Sequence, residues 1–371
     1  VIDLALMTGE SSLSILCGQL VIGGFEGTEV PSSFARALAA GERGGAILFR
    51  RNLTGEPRQA ARLNATLRDA SMPRMPPLIA IDQEGGRVAR LGPPLLVVPA
   101  MRTLAARGDE ALVELTARAQ AEELSALGFT MNFAPVLDVN TCEGNPIIGD
   151  RAFGDDPGVV AALGLAYARG LALGGMLACG KHFPGHGDTS KDSHLELPIV
   201  DRDRARLDAV ELAPFRAAAR AALPALMTAH VMYPALDPAL PATLSRAICT
   251  DLLRGELGYE GWLVSDDLEM KGVADTFAIE DSAVRAITAG CDAILVCRDE
   301  ALQARAHEAL VHAAEADDAF RDRCREAAQR GLTLRRRVPP RPLDGAGFER
   351  AGARAREVAA RLAAPSPVEG V

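Results

Sequence analysis

The proton-transfer chemistry of this chain is concentrated in residues 181–194, which read Lys-His-Phe-Pro-Gly-His-Gly-Asp-Thr-Ser-Lys-Asp-Ser-His. The protein has six histidines, and His182, His186 and His194 all fall in this stretch, with Asp188 and Asp192 between them. Imidazole is the side chain that gives and takes a proton near neutral pH. Pro184, Gly185 and Gly187 keep the segment out of helix and ladder, so it reads as a loop leaving the end of the apolar run 176–179. Acid–base chemistry and a metal-binding or solvated loop are both consistent with that composition. No set of histidines and carboxylates in the chain has convincing ligand spacing, so neither a metal nor a cofactor is expected.

Other ionisable residues stand one step past strand-like runs. Asp82 follows Ile79-Ala80-Ile81, Asp138 follows Val136-Leu137, and Lys181-His182 follow Ala178-Cys179-Gly180. His230 follows Met227-Thr228-Ala229, and Asp266 follows Leu263-Val264-Ser265. A lone aspartate in such a place can equally be the cap of the next helix, and Asp138 reads both ways.

The elements that must position these residues alternate. Short apolar or β-branched runs recur at 20–24, 46–49, 78–81, 130–139, 175–180, 225–231, 261–264 and 293–297. Segments with helical spacing lie at 58–69, 111–127, 159–173, 205–222, 245–257 and 279–289. Strands alternating with helices imply a parallel sheet. Eight such units predict an α/β fold, a TIM-like (β/α)8 barrel, in which all strand ends carrying polar residues converge on one mouth. An open doubly wound sheet is the alternative, but no Gly-x-Gly-x-x-Gly turn follows the first run. The barrel is expected to span 1–337 as a single catalytic domain. Pro339-Pro340 end its last helix, and 338–371 form an extension with one helix at 348–363 and a frayed tail from Pro365.

Composition narrows the partners. A net charge of −9 over 371 residues argues against nucleic acid, and the basic cluster Arg335-Arg336-Arg337 reads as a solvated face or carboxylate-binding surface. No apolar run is long enough for a membrane span. The seven cysteines are scattered without a Cys-x-x-Cys pair, and residues 1–7 show no secretory pattern, so a reducing, cytoplasmic compartment is expected. A monomer or weak homo-oligomer is expected.

Four motifs occur in a telling order: Asp82-Gln83-Glu84-Gly85-Gly86-Arg87-Val88-x-Arg90, Ile148-Gly149-x-Arg151-x-Phe153-Gly154, the loop 181–194, and Gly261-x-x-Val264-Ser265-Asp266-Asp267. Together they resemble the family 3 glycoside hydrolases, and most closely the bacterial β-N-acetylglucosaminidases of that family that act in cell-wall recycling. The resemblance covers about residues 15–335. It implies a retaining, exo-acting enzyme that removes terminal β-linked N-acetylglucosamine from a small carbohydrate, an N-acetylglucosaminyl muropeptide or a chitooligosaccharide. Trp262 and Glu269 depart from the family pattern, which has a smaller apolar residue at the first position and a small residue at the second.

Retaining hydrolysis needs a carboxylate to attack the anomeric carbon and a donor to protonate the leaving oxygen. Asp266 resembles the family nucleophile. Asp267 competes with it, because adjacent residues on a strand point in opposite directions. In larger family members a glutamate from a second domain is the proton donor; here the resemblance implies His194 paired with Asp192. A carboxylate beside an imidazole stabilises its protonated form and fixes its orientation. Asp82, Arg90, Arg151, Lys181 and His182 are the candidates for holding the sugar hydroxyls, with an alternative for Arg90 and Arg151 as structural partners of carboxylates. Glu84 reads as support for the Gly85-Gly86 turn and His186 as packing within its loop. His230 either lines the site or satisfies a backbone group, and Trp262 reads as core. Three other functions stay open: a phosphorylase passing the glycosyl group to phosphate, another family 3 exo-glycosidase, and a non-catalytic sugar-binding barrel.

Overall fold

The computed structural model describes residues 10–189 and 197–364. Eight parallel strands close into a barrel in sequence order: β1 (Val21–Gly23), β2 (Gly45–Leu48), β3 (Leu78–Ile81), β4 (Met131–Asn132), β5 (Leu177–Phe183), β6 (Ala225–Thr228), β7 (Trp262–Asp267) and β8 (Ala293–Val296). β8 pairs with β1 through Val21 opposite Ile294 and closes the ring. The TIM-like barrel expected from the alternating pattern is the fold observed.

Strand periodicity explains the two-layer core. Inward-facing Ile22, Ile47, Ala80, Met131, Cys179, Met227, Val264 and Leu295 fill the barrel. Their outward-facing neighbours Val21, Leu48, Ile79, Ala178, Leu226, Leu263 and Val296 pack beneath the helices. Trp262 begins β7 and lies in the barrel filling with Leu334 from the helix Asp318–Arg337, so it is core. Surrounding helices begin at aspartates whose carboxylates accept first-turn N–H groups, among them Asp109, Asp156, Asp203 and Asp299, each such cap contributing about 1 kcal/mol.

Three elements differ from expectation. The run at 130–139 gives only a two-residue strand: Pro135 has no N–H for the ladder, and pairing resumes as a single bridge between Val136 and Lys181. The helix expected at 205–222 is two helices, Arg204–Ala209 and Ala213–Arg220, with Pro214 opening the second. The segment at 245–257 winds as a π-helix, Ala247–Glu256. Beyond the barrel, the helix Gly345–Ala363 buries Ala351, Ala355 and Val358, and its Arg354 pairs with Glu122 on the helix Glu110–Ala126.

Candidate active site

The loop after β3 is built to hold its charged residues in place. Gln83 uses its side-chain oxygen to accept the N–H groups of Arg90 and Leu91, while its amide donates to the Leu91 carbonyl. Its backbone is pinned from β4, with Asn132 accepting from its N–H and donating to its carbonyl. The turn between them needs glycine: Gly86 has φ 53°, and a Cβ there would sit 2.8 Å from the Ala100 Cα. This fold brings Asp82 and Arg90, eight positions apart, to 3.0 Å.

A charge network spreads from that contact. Lys181 Nζ lies 2.8 Å from Asp82 Oδ1 and 2.7 Å from Glu84 Oε1. Arg151 donates to both oxygens of Glu84, at 2.9 and 2.8 Å. The Glu84 and Lys181 side chains are only 2% and 3% exposed, whereas Asp82 and Arg90 keep 13% and 20% and so remain available to a ligand. Burial raises the Asp82 carboxyl, but Lys181 and Arg90 outweigh it and hold the group well below the usual carboxylate range. Glu84 behaves likewise, burial being overcome by Arg151 and Lys181 to bring it to about 2. Burial lowers Lys181 while Asp82 and Glu84 raise it, with a net rise. Asp82, Glu84, Arg151 and Lys181 are therefore charged at neutral pH. Removing one would leave a buried charge uncompensated, which costs about 3–5 kcal/mol.

At the end of β5 the pairing with β6 shifts between Gly180 and Phe183. Such an irregularity re-aims side chains, and the consecutive Lys181 and His182 both line the same cavity. The His182 ring is held from below: its Nδ1 is 2.7 Å from Asp138 Oδ2, and Asp138 Oδ1 accepts the N–H groups of His182 and His186. Asp138 is fully buried and caps no helix; burial raises its carboxyl, and His182 and its hydrogen bonds more than reverse that. His186 packs within its loop against Thr189, its Nδ1 2.8 Å from the hydroxyl, and burial with neighbouring His182 lowers it to about 4. Gly187 lets this loop lie on β4's continuation, since a Cβ would fall within 1.8 Å of the Val139 carbonyl oxygen.

At the end of β7 a second register shift, between Val264 and Asp267, sets three residues against two of β8. The strict alternation that would send Asp266 and Asp267 to opposite faces is broken, and both line the cavity. Their partners differ. Among the described residues the Asp266 carboxylate accepts a single hydrogen bond, from the Asp267 N–H at 2.8 Å. The Asp267 carboxylate accepts from the N–H groups of Glu269 and Cys297, and burial together with Glu269 pushes it up to about 7. His230 hydrogen-bonds Thr243 through Nδ1 and the Asp267 carbonyl through Nε2, so it satisfies a backbone group next to the cavity.

These strand ends enclose a cavity of about 760 Å³ in the barrel mouth. The structure brings Asp82, Arg90, Arg151, Lys181, His182 and Asp266 together around it. Asp192 and His194 lie outside the described residues. Glu84 is more than support for a turn: it joins Lys181 to Arg151. Asp138 emerges as the partner of the His182 ring; its place just past a strand run was the signal, though indistinguishable from a cap in sequence. Among the described residues no group of histidines, cysteines and carboxylates is arranged to hold a metal ion.

Comparison with known proteins agrees with this geometry. Residues 17–334 match the glycosyl hydrolase family 3 N-terminal domain. The chain is 43% identical over 289 residues to a β-hexosaminidase of Alkalilimnicola ehrlichii, covering 76% of this chain and 81% of that protein. Among solved structures, a family 3 β-N-acetylglucosaminidase from Paenibacillus sp. FPU-7 superposes with a TM-score of 0.84 at 41% identity, covering 94% of this chain and 68% of that one. NagZ from Neisseria gonorrhoeae, solved with N-trifluoroacetyl-D-glucosamine, superposes with a TM-score of 0.78 at 33% identity, covering 93% and 98% respectively. Matched through its whole barrel, the chain belongs to glycosyl hydrolase family 3.

Proposed function

We propose that this protein is a retaining, exo-acting β-N-acetylglucosaminidase. The observation that carries the reading is the pairing of Asp266, whose carboxylate accepts one hydrogen bond among the described residues, with a polar clamp across the barrel mouth. Asp82 and Arg90 receive the hydroxyls of the non-reducing sugar, with Lys181, His182 and Arg151 beside them. Asp266 attacks the anomeric carbon and forms a glycosyl-enzyme. Asp267, held by two N–H groups and readily protonated, is a supporting residue. His194 with Asp192 protonates the leaving oxygen and then serves as base toward water. The substrate is a small carbohydrate ending in β-linked N-acetylglucosamine, in the reading favoured here a muropeptide released from peptidoglycan. All seven cysteines are free thiols, which suits a cytoplasmic setting. Residues 1–337 are taken as the catalytic barrel and 338–371 as its extension.

Asp266→Asn should lower kcat/KM on a chromogenic N-acetylglucosaminide by at least about a thousandfold while leaving the melting temperature near that of the unmodified protein. A slow fluorosugar should label Asp266; a label on Asp267 would reverse the two roles. His194→Ala should impair substrates with poor leaving groups most, accumulate the glycosyl-enzyme with activated phenols, and regain turnover with azide as a β-glycosyl azide forms. Equal losses for good and poor leaving groups, with no azide effect, would move the proton donor elsewhere.

A further inference from the structure

Side chains, as well as the ladder, hold the end of β7 that carries Asp266. At its register shift, the β8 N–H groups of Leu295 and Cys297 donate to the Ser265 hydroxyl at 3.0 Å and to the Asp267 carboxylate at 3.2 Å. A regular parallel ladder would give such groups backbone carbonyls. The backbone at Asp267 is therefore placed by other partners. Its N–H donates to Asp266 Oδ1 at 2.8 Å, and its carbonyl accepts the Met270 N–H at 3.0 Å and His230 Nε2 at 2.9 Å.

His230 comes from the other side of β7, two residues past the end of β6. It is buried and is not among the residues that line the cavity. A carbonyl can only accept, so Nε2 carries a proton. On the far side of the ring, Nδ1 lies 2.8 Å from the Thr243 hydroxyl, which is 2.8 Å from the Thr228 hydroxyl. With the ring neutral, Thr228 donates to Thr243, Thr243 to Nδ1, and Nε2 to the Asp267 carbonyl. The chain of donors runs one way and ends on the residue whose N–H meets Asp266.

We propose that His230, oriented by Thr243, is a positioning residue for the attack by Asp266. By anchoring the Asp267 carbonyl it aims the Asp267 N–H, and that N–H fixes the attitude of the Asp266 carboxylate. The proposal rests on the reading of Asp266 as the nucleophile and adds what holds it in line. A single hydrogen bond that orients a reacting group contributes about tenfold in rate.

The test reads the saturating rate constant with which a slow fluorosugar labels Asp266, beside kcat and KM on the chromogenic N-acetylglucosaminide. His230→Leu removes the donor, whereas His230→Gln keeps an N–H near the reach of Nε2. Labelling should slow about tenfold in His230→Leu and no more than about threefold in His230→Gln, with KM moving by less than about twofold. Thr243→Val should slow labelling about threefold, Thr243→Ser should not, and Thr243→Val should add nothing to His230→Leu. Melting temperatures show which variants fold, and if His230→Leu does not, the two Thr243 variants decide. Labelling in His230→Gln as slow as in His230→Leu, labelling unchanged in His230→Leu, or equal labelling in Thr243→Val and Thr243→Ser would overturn the proposal and leave the glycosidase reading intact. A label on Asp267 in the unmodified protein would overturn the nucleophile assignment itself, and this role with it.

Discussion

Asp138 shows how much of this site depends on a residue that does not line the cavity. Its two oxygens orient the His182 ring and anchor the N–H groups of His182 and His186, so the imidazole is presented to the cavity in one attitude. In Asp138→Asn, one oxygen becomes an amide donor that cannot accept from Nδ1–H. Losing a charge-assisted hydrogen bond of this kind should lower kcat/KM by roughly tenfold to a hundredfold. The role is separable from mere support of the fold by a double-mutant cycle. If Asp138 acts through the ring, combining Asp138→Asn with His182→Ala should cost no more than His182→Ala alone. Additive losses would mean that Asp138 serves the backbone only.

A buried acid couples the helix Glu110–Ala126 to its surroundings. Glu123 is buried on that helix and accepts the Leu96 N–H at 2.8 Å. Burial pushes its carboxyl up to about 7, against the opposing effects of that hydrogen bond and of Arg356 from the helix Gly345–Ala363. Folding therefore raises this group above its unfolded value. Its contribution to stability is complete below the ordinary glutamate value of 4.5 and is lost as the pH climbs through about 7. Glu123→Gln keeps an acceptor for Leu96 and removes the titration. Measured as melting temperatures, the protein should lose stability relative to this variant between about pH 5 and about pH 8, by on the order of 1–3 kcal/mol. A constant difference across that range would show that the carboxyl titrates alike in both states. Asp82 and Glu84 act oppositely: their stabilisation is present at neutral pH and lost only as the medium becomes strongly acidic, Glu84 through about 2.

At the scale of the molecule, the barrel separates what stabilises from what reacts. The base of β8 is held by Asp292, fully buried and within 2.8 Å of Arg254 and 2.7 Å of Arg323, with Arg330 as a third partner. It fastens the π-helix and the last barrel helix to the strand end farthest from the cavity. The other end carries the charge network, both register shifts and the cavity itself. Closure of the ring is what sets β3 opposite β7, and with them Asp82 and its partners opposite Asp266.

The alternation of strands and helices and the presence of an ionisable residue past five strand ends are local properties, so they were legible in the chain itself. Apolar periodicity needs only neighbours in sequence, and so do the glycines and prolines that end each element. The partners of those ionisable groups were not legible, because they come from afar: Lys181 meets a carboxylate 99 positions away, and Glu84 meets Arg151 across 67. Asp138 cannot be told from a helix cap until β5 brings His182 beside it. Asp266 and Asp267 were assigned to opposite faces by strand alternation, and it was the mismatch with β8 that turned both into the mouth. Register between strands is a property of the closed sheet, and no single strand contains it.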